Sequence, residues 1–331
     1  MVFRAGLNPS IMRIAVLGGT SQIAKDLVLS FSATGEHDWV LYARRPEAVI
    51  LWLADNGLAQ RHEVAEFSAF TPHQRFDAIL NCVGVGNPAQ AVAIGASIFD
   101  VTAQYDDLAL RYLQKNPTTR YIFFSSGAVF GGDFAEAVTA QSNASFQINQ
   151  LGAQDWYGVA KMWAECRHRA LSALPIVDVR VFNYFSSSAD ITNRFLVTDI
   201  LRALVAKDIF RTSPGDITRD YLGPVDLHQL IDKILQNGPT NVAIDCYSKM
   251  PVGKLEMLAT MQEKFGLTYA LTNVNHGINA TGNKIKYYSK NHVAQDVFGY
   301  APKLSAIENL LTEIEILLQR HKATNFLIDN R

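Results

Sequence analysis

The first half of the chain alternates short apolar runs with segments of helical periodicity, and this alternation constrains the fold more than any other feature. Arg13–Leu17 is an apolar run of high β-propensity, and apolar residues recur at helical spacing after Thr20. Residues 77–83 are nearly continuous in apolar residues, as expected of a parallel strand buried on both faces. The pattern predicts an α/β fold, a Rossmann-type doubly wound parallel sheet.

The predicted elements continue to the end of the chain, but their rhythm changes after Asn183. Strands in the first half are predicted at residues 13–17, 39–43, 62–67, 77–83, 121–124 and 177–182, and helices after Thr20 and at 47–56, 89–114 and 156–172. Helices in the second half are predicted at residues 195–207, 225–236, 252–265 and 304–320, with one strand at 241–246 that can rejoin the sheet.

These elements predict two interleaved units. The Rossmann-type domain takes residues 12–182 and parts of about 217–250. A smaller, mainly helical lobe takes about 183–216 and 251–320, and we expect it to bind the substrate. Residues 1–11 and 321–331 are expected to be flexible ends.

Composition excludes several classes of partner. The 331 residues are 48% hydrophobic and 18% charged, an ordinary balance for a globular chain with a sizeable core. A net charge of -1 gives no electrostatic case for nucleic acid or a membrane surface, and no apolar run reaches the roughly 20 residues that span a bilayer. Cys82, Cys166 and Cys246 are scattered without metal-ligand spacing, so we predict a reduced, cytoplasmic protein without a metal site.

A glycine turn follows the first predicted strand. A full dinucleotide fingerprint has three glycines, whereas here only Gly18 is certain and Ser21 and Ala24 stand at the other two places. Backbone amides at the start of the following helix can face a pyrophosphate. Taken alone, the stretch fits either a degraded cofactor turn or an ordinary strand–helix corner.

Tyr157 and Lys161 lie four residues apart in a predicted helix and therefore project from one face. An ammonium beside a phenol favours the phenolate, so we expect the pKa of Tyr157 to be lowered and the pair to suit acid–base work on a hydroxyl or carbonyl carbon. In isolation, so short a motif favours the alternative that the two residues meet by chance on an amphipathic helix.

Two serines follow the fifth predicted strand. Ser126 can polarise a substrate oxygen that Tyr157 then protonates or deprotonates. The alternative is a turn serine that satisfies backbone groups, which is common after strands.

Taken together, five segments resemble the extended short-chain dehydrogenase/reductase family of nucleotide-sugar epimerases, dehydratases and ketoreductases. They follow the family's order over about residues 12–320, with Phe130 in place of a tyrosine and Gly223-Pro224 breaking the usual middle of the fourth. The segments are Ser125-Ser126-Gly127-Ala128-Val129-Phe130-Gly131, Tyr157-Gly158-Val159-Ala160-Lys161, Arg180-Val181-Phe182-Asn183, Arg219-Asp220-Tyr221-Leu222-Gly223-Pro224-Val225-Asp226-Leu227 and Gly299-Tyr300-Ala301-Pro302-Lys303.

The resemblance implies a catalytic triad of Ser126, Tyr157 and Lys161. Tyr157 would be the acid–base, Lys161 would lower its pKa and hold the nicotinamide ribose, and Ser126 would bind the reacting oxygen. Asn183 and Arg219 match positions that contact the substrate's diphosphate, a role that suits the forked guanidinium.

For Arg219 the alternative to phosphate binding is a surface ion pair with Asp216 or Asp220.

The resemblance also implies an NAD(P)-binding domain. Arg44 and Arg45 follow the second strand, with no acid before Glu47, and two cations there suit the 2′-phosphate of NADP rather than the ribose of NAD. A solvated pair that caps the strand, or an arginine stacked on adenine, is the alternative, and NAD stays possible. The residues implied to bind the cofactor are Gly18, Thr20, Ser21, Gln22, Ile23, Arg44, Arg45, Glu66, Phe67, Asn81, Cys82, Val83, Gly84, Tyr157, Lys161 and Phe182.

Three functions stay open. The family's dehydratases carry an acidic pair directly after the catalytic Ser/Thr, and Gly127-Ala128 cannot serve in that role. The leading prediction is an NADP-dependent oxidoreductase of the 4-ketoreductase type acting on a nucleotide-linked sugar. The alternatives are a nucleotide-sugar epimerase with retained NAD(P) and a non-catalytic NADP-binding regulator. Family dimers pair two helices from each subunit, so we also predict a homodimer.

Overall fold

A seven-stranded parallel sheet forms the centre of the protein. The computed structural model describes residues 11–35, 37–85, 93–132, 134–272 and 284–329. In the sheet the strands lie in the order β3-β2-β1-β4-β5-β6-β9. They are β1 (Arg13–Leu17), β2 (Asp38–Tyr42), β3 (Glu63–Ala65), β4 (Ala78–Asn81), β5 (Arg120–Ser126), β6 (Ile176–Val181) and β9 (Val242–Asp245). The α/β Rossmann-type fold predicted from the alternation is confirmed.

Helices connect and cover the strands. The helices of this domain are α1 (Gln22–Thr34), α2 (Pro46–Asp55), α3 (Ser97–Lys115), α4 (Ala153–Ala170) and α6 (Pro224–Gln236). Strand β1 pairs with β2 on one side and with β4 on the other, so the direction of winding reverses between β1 and β4. Ligands of such sheets bind at this reversal, beyond the carboxyl ends of the strands.

The predicted elements and the observed ones differ mainly at their ends. Strand β9 pairs with β6, which confirms that the predicted strand at 241–246 rejoins the sheet. The helix predicted at 89–114 begins at Ser97, because Gly95 has a φ of +59°, a left-handed conformation that interrupts a right-handed helix. Residues 89–92 of that prediction lie outside the described residues.

The second lobe is built on three helices, α5 (Leu196–Ala206), α7 (Lys254–Phe265) and α9 (Ala306–Asp329). Their apolar faces share one core, which includes Ile200, Met257 and Ile314. Helix α9 runs to Asp329, and residues 1–10 and 330–331 of the predicted flexible ends lie outside the described residues. Within the described ranges, no helix has both the length and the apolar character to cross a membrane.

Five short strands of this lobe were not predicted. They are β7 (Phe210–Thr212), β8 (Thr218–Arg219), β10 (Val252–Gly253), β11 (Tyr269–Leu271) and β12 (Lys286–Tyr287). Strand β8 lies between β10 and β12, while β7 pairs with β11. With two or three residues each, they are too short to show an alternating pattern, and β10 takes the first residues of the helix predicted at 252–265.

The remaining helix, α8 (Val293–Phe298), leads into the late segment Gly299–Lys303. In that segment the buried Tyr300 donates a hydrogen bond to Tyr247 O at 2.8 Å. Asp226, buried in α6, accepts from the backbone N–H of Lys303 at 2.7 Å. This segment of the family resemblance therefore joins the second lobe to the sheet domain.

Candidate active site

The glycine turn packs tightly against the end of the neighbouring strand. Gly18 has a φ of +92°, and a Cβ there would lie 3.0 Å from the backbone N of Val83 and 3.1 Å from the carbonyl carbon of Cys82. Only glycine fits such an approach without strain. Ser21 then caps α1, its Oγ accepting from Ala24 N at 3.1 Å, and the first turn of α1 holds no acidic residue. The start of α1 therefore offers backbone amides, with no acidic residue in the first turn, to an anion.

The rest of the turn is fixed by long-range contacts. Gln22 Nε2 donates to Ser186 Oγ at 2.7 Å, and Ser186 Oγ donates to the buried Asp26 at 2.6 Å. Ile23 packs against the core of the sheet domain, and Thr20 is exposed. The loop after β6 thus holds the helix start in place.

At the end of β2, Arg44 and Arg45 are exposed to solvent. Arg45 is the N-cap residue of α2 and makes no side-chain capping bond. At the neighbouring strand end, Glu66 is exposed, and the ring of Phe67 lies 4.6 Å from that of Tyr105. The predicted adenosine-binding residues therefore line one edge of the sheet, with both guanidinium groups in solvent.

Hydrogen bonds of Asn81 hold the turn after β4 in place. Asn81 accepts from Val83 N at 3.1 Å and donates to the hydroxyl of Tyr121 at 2.8 Å. Burial raises the pKa of the Cys82 thiol to about 12, so the group stays protonated at neutral pH. A Cβ at Gly84 would lie 3.5 Å from Lys161 Nζ, which places this turn beside the lysine.

The Ser126 hydroxyl and the Tyr157 phenol meet at the end of β5. Ser126 Oγ accepts from Ala128 N at 3.2 Å and also interacts with the side chain of Tyr157. Burial raises the pKa of Tyr157, and the hydrogen bond with Ser126 offsets only part of that rise. The predicted lowering of this pKa is therefore wrong for this structure, because desolvation outweighs the effect of nearby groups.

Lys161 lies one helical turn further along α4 and is only 2% exposed. Its Nζ donates to Phe124 O at 2.7 Å and lies 4.3 Å from the centre of the Phe123 ring. Burial lowers the pKa of Lys161 to about 8, although Asp106 and other acids act in the opposite direction. The ammonium is thus held by the backbone of β5, beside Gly84.

Gly158 allows α4 to approach the end of β5, and Gly127 allows Phe182 to pack there. A Cβ at Gly158 would lie 2.4 Å from Ala128 O, and a Cβ at Gly127 would lie 2.5 Å from the ring of Phe182. Both separations are shorter than real side chains allow. The glycine after Tyr157 is therefore required for the approach that brings the phenol to Ser126.

A buried ion network lies next to the end of β5, beside Ser126. Ser125 Oγ donates to Glu165 at 2.5 Å, and Arg180 Nε donates to both oxygens of that carboxylate at 3.0 Å. The guanidinium of Arg180 lies 4.9 Å from the centre of the Phe130 ring and also pairs with Asp245 at 3.3 Å. Phe130, which replaces the family's tyrosine, thus stacks on Arg180.

A second buried network lies beneath the sheet. His168, with no exposed surface, has Nε2 at 2.8 Å from Asp106 and Nδ1 at 2.6 Å from Asp178. Burial alone lowers the pKa of His168, but the two carboxylates outweigh it and raise the pKa to about 9. Asp106 also accepts from the hydroxyl of Tyr121, and this hydroxyl accepts from Asn81, so the network extends to the end of β4.

The second lobe brings cations to the same cleft. Arg219, 3% exposed, donates to Thr218 O at 2.9 Å and to Ile285 O at 3.3 Å. The predicted alternative, a surface ion pair, does not describe it: Asp216 accepts from Leu255 N at 3.1 Å and Asp220 from Ser248 N at 2.8 Å.

Asn183 contacts the chain on either side of Tyr221, next to Arg219. Its Nδ2 donates to Asp220 O at 3.0 Å, and its own carbonyl accepts from Leu222 N at 3.0 Å. It ties the end of β6 to the chain around Arg219. In this structure, the side-chain amide therefore positions the arginine strand.

Sequence analysis did not identify two residues of this cleft. Lys284 Nζ lies 4.7 Å from the ring centre of Phe134 and 4.6 Å from that of Tyr287. Burial, reinforced by the charge of Arg219, lowers the pKa of Lys284 to about 8. The side chain of Tyr287 interacts with Ser126. No local motif marks these residues, because only the pairing of β12 with β8 brings them to the site.

The chain matches the model of the NAD dependent epimerase/dehydratase family over residues 14–246. A comparison with curated protein sequences finds no match.

Solved structures of similar fold include three nucleotide-sugar enzymes. UDP-glucose 4-epimerase of Thermotoga maritima, solved with UDP-glucose, superposes with a TM-score of 0.76 at 16% identity, over 93% of this chain and 99% of that one. UDP-glucose-4-epimerase of Stenotrophomonas maltophila, with bound NAD and formylated UDP-arabinopyranose, gives 0.76 at 15% identity over 94% and 99%. The dTDP-glucose 4,6-dehydratase of Bacillus anthracis, in complex with NAD, gives 0.73 at 14% identity over 94% and 98%. At these identities the likeness establishes the fold.

Proposed function

The chain belongs to the NAD dependent epimerase/dehydratase family, part of the extended short-chain dehydrogenases/reductases that its motifs resemble, and on that premise we propose that it is an NADP-dependent oxidoreductase acting on a nucleotide-linked sugar. The observation that carries the proposal is the meeting of Ser126 and Tyr157 at the end of β5, one helical turn from Lys161. A hydroxyl and a phenol at one point, with an ammonium nearby, suit proton exchange with a substrate hydroxyl or carbonyl.

The residues at the strand ends fit a dinucleotide. Gly18 lets the turn pack against the end of β4, and the start of α1 carries backbone amides with no acidic residue in its first turn, an arrangement suited to a pyrophosphate. Gly84 lies beside Lys161, where the ribose would be held. The chemistry that a bound nicotinamide supplies is reversible hydride uptake. Ser126 would orient the sugar oxygen, Tyr157 would exchange its proton, and Lys161 would contact the ribose.

The cofactor is proposed to be NADP. Arg44 and Arg45 are both exposed at the end of β2, where the adenosine ribose lies in dinucleotide folds. Two guanidinium groups complement a 2′-phosphate, whereas an NAD ribose needs an acidic acceptor there. Two of the similar structures named above contain NAD, so NAD is the competing cofactor.

We expect NADPH to bind at least about tenfold more tightly than NADH in fluorescence titrations, because an arginine–phosphate contact contributes on the order of 1.5–3 kcal/mol. The double variant Arg44→Gln/Arg45→Gln should remove this preference. Arg61→Gln changes another exposed arginine in the same way and serves as the control. Tighter binding of NADH by the unmodified protein would contradict the role given to the two arginines.

A diphosphate-linked substrate is supported by the cations of the second lobe. Arg219 and Lys284 lie close enough for the charge of one to lower the pKa of the other. A forked guanidinium and an ammonium in one cleft complement the oxygens of a diphosphate. We propose that they bind the diphosphate of a nucleotide sugar, with Asn183 holding the strand that carries Arg219.

Net reduction of a 4-keto sugar is the leading reaction. Dehydration lacks its acid, since Gly127 has no side chain and one cannot be added beside Phe182. The second candidate, a nucleotide-sugar epimerase with retained NAD(P), is favoured by the likeness to the two UDP-glucose epimerases. A non-catalytic regulator would have no need for the Ser126–Tyr157 contact.

The assembly stays a prediction. The proposed homodimer would pair α3 and α4 of two subunits. Helix α4 carries two exposed residues, Cys166 and Trp163, the latter 41% exposed. The guanidinium of Arg167 lies 4.6 Å from the centre of the Trp163 ring.

The experiment that tests the proposed function follows a deuterium label from the reduced cofactor into a nucleotide-linked keto sugar. A reductase releases labelled sugar and consumes one reduced cofactor for each sugar over many turnovers, whereas an epimerase keeps its cofactor and interconverts the two C4 epimers of the nucleotide sugar without net cofactor consumption. Native mass spectrometry of the purified protein separately reveals whether NAD(P) is retained.

A further inference from the structure

Tyr287 brings a third hydroxyl to Ser126 and Tyr157, and it comes from the other lobe. The side chain of Tyr287 is 4% exposed, and its hydroxyl interacts with the side chain of Ser126. Tyr157 is close enough to affect the ionisation of Tyr287. Three hydroxyl groups, carried by β5, α4 and β12, therefore converge on one point.

Tyr287 is held there by contacts on both sides of its strand. In the pairing of β12 with β8, Tyr287 lies opposite Arg219. Lys286 N donates to Phe134 O at 2.8 Å, and Ser289 Oγ donates to the buried Asp245 at 2.6 Å. A two-residue strand is thus anchored to the ion network behind Ser126, and the phenol has a defined position.

Positive charge surrounds the ring of Tyr287. Lys284 Nζ lies 4.6 Å from its centre and the guanidinium carbon of Arg219 lies 5.9 Å from it. Cations over an aromatic face withdraw electron density and strengthen a phenol as a donor. Burial raises the pKa of Tyr287, so its hydroxyl keeps its proton at neutral pH and acts as a donor.

We propose that Tyr287 donates a hydrogen bond to the reacting oxygen of the sugar, beside Ser126, while Tyr157 alone exchanges the proton. This inference rests on the proposed function. In reduction of a keto sugar, the protonated phenol of Tyr157 would give its proton to the carbonyl oxygen and become a phenolate, while a bound nicotinamide would supply hydride to the carbon, so that an O–H and a C–H bond replace the carbon–oxygen π bond. Oxidation of a sugar hydroxyl is the reverse of this step and passes through the same transition state. Negative charge develops on the oxygen during this step, and a fixed donor there stabilises the transition state more than the bound substrate.

Tyr287→Phe tests the inference, since it removes the hydroxyl and keeps the ring beneath Lys284 and Arg219. With UDP-glucose as probe, we expect the single-turnover rate of nicotinamide reduction to fall about 10- to 100-fold. The dissociation constant of UDP-glucose, measured by calorimetry, should change by less than about threefold, because the bond strengthens only as charge develops. Tyr288→Phe, at the neighbouring partly buried tyrosine, is the control and should leave both values within about twofold.

Two results separate this inference from the proposed function. A protein that binds and oxidises UDP-glucose equally well, or faster, with Tyr287→Phe would overturn the role of Tyr287 and leave the proposed function standing. Equal losses of binding and rate would also overturn it, since they indicate a structural role. If the unmodified protein neither binds UDP-glucose nor transfers hydrogen from it, the proposed substrate class fails and this inference fails with it.

Discussion

Tyr157→Phe is expected to lower turnover about a thousandfold while NADPH still binds with nearly unchanged affinity. The phenol of Tyr157 is the group that contacts Ser126 at the end of β5 and can exchange a proton there. General acid–base groups contribute roughly 10²–10⁴-fold to enzymatic rates, so losing the hydroxyl removes most of the catalysis. Phenylalanine keeps the ring that packs beside Val85 and Ile98, and the fold should persist.

Steady-state kinetics on a substrate that the unmodified protein turns over, together with NADPH titration, measure both quantities. Tyr288→Phe serves as the matched control, because it removes a phenol outside the convergence of the three hydroxyls. A Tyr157→Phe protein with the turnover of the unmodified protein would exclude Tyr157 as the acid–base group.

Asp106→Asn is expected to reduce the free energy of unfolding by about 3 kcal/mol at neutral pH, because breaking a buried ion pair leaves its partner uncompensated. Asp106 is fully buried and contacts His168, Tyr121 and Arg167. Its neighbour Asp107 is 39% exposed on its side chain and pairs only with Arg167 among the described salt bridges. Asp107→Asn, as the control, should cost less than about 1 kcal/mol.

The pH dependence of the free energy of unfolding is a second test of the same network. The pKa of His168 is raised from 6.5 to about 9, so the folded state binds the proton more tightly than the unfolded state. This stabilisation is fully present below about pH 6.5 and is lost as the pH rises through 9, a loss of roughly 3 kcal/mol.

Urea denaturation at pH 6.5 and pH 9 measures the difference, which should be smaller in Asp106→Asn. Equal stability of Asp106→Asn and Asp107→Asn at pH 6.5 would show that the buried network contributes little.

The sheet could be predicted because its strands are buried on both faces. Ala78–Asn81 is apolar except for its last residue, and Ile176–Val181 is apolar except for Asp178 and Arg180, so both can be located in the sequence without knowledge of their partners. The same holds for the glycine turn, where the need for Gly18 is visible from its place between strand and helix.

The short strands of the second lobe could not be predicted, in contrast to its helices, because they form only with distant partners. Lys286–Tyr287 becomes a strand only by pairing with Thr218–Arg219, about 70 residues earlier in the chain. Tyr287 therefore reaches Ser126 through a contact that no local pattern records. Lys284 follows from the same pairing.

The direction of the pKa shift of Tyr157 could not be predicted from the sequence for a different reason. Spacing of four residues places Lys161 on the same helix face, but it does not reveal that Lys161 Nζ donates to Phe124 O. Nor does it reveal how far the phenol is desolvated. The direction of a pKa shift is decided by burial, which only the folded structure provides.

Deuterium transfer is the measurement that tests the central claim most directly. The purified protein is mixed with NADPH carrying deuterium at its transferable position and with a nucleotide-linked 4-keto sugar, and the sugar is analysed by mass spectrometry. We predict a released sugar that is heavier by one deuterium at position 4, with no label transferred by Tyr157→Phe. Unlabelled sugar from a protein that binds both molecules would contradict hydrogen transfer at the Ser126–Tyr157–Lys161 site.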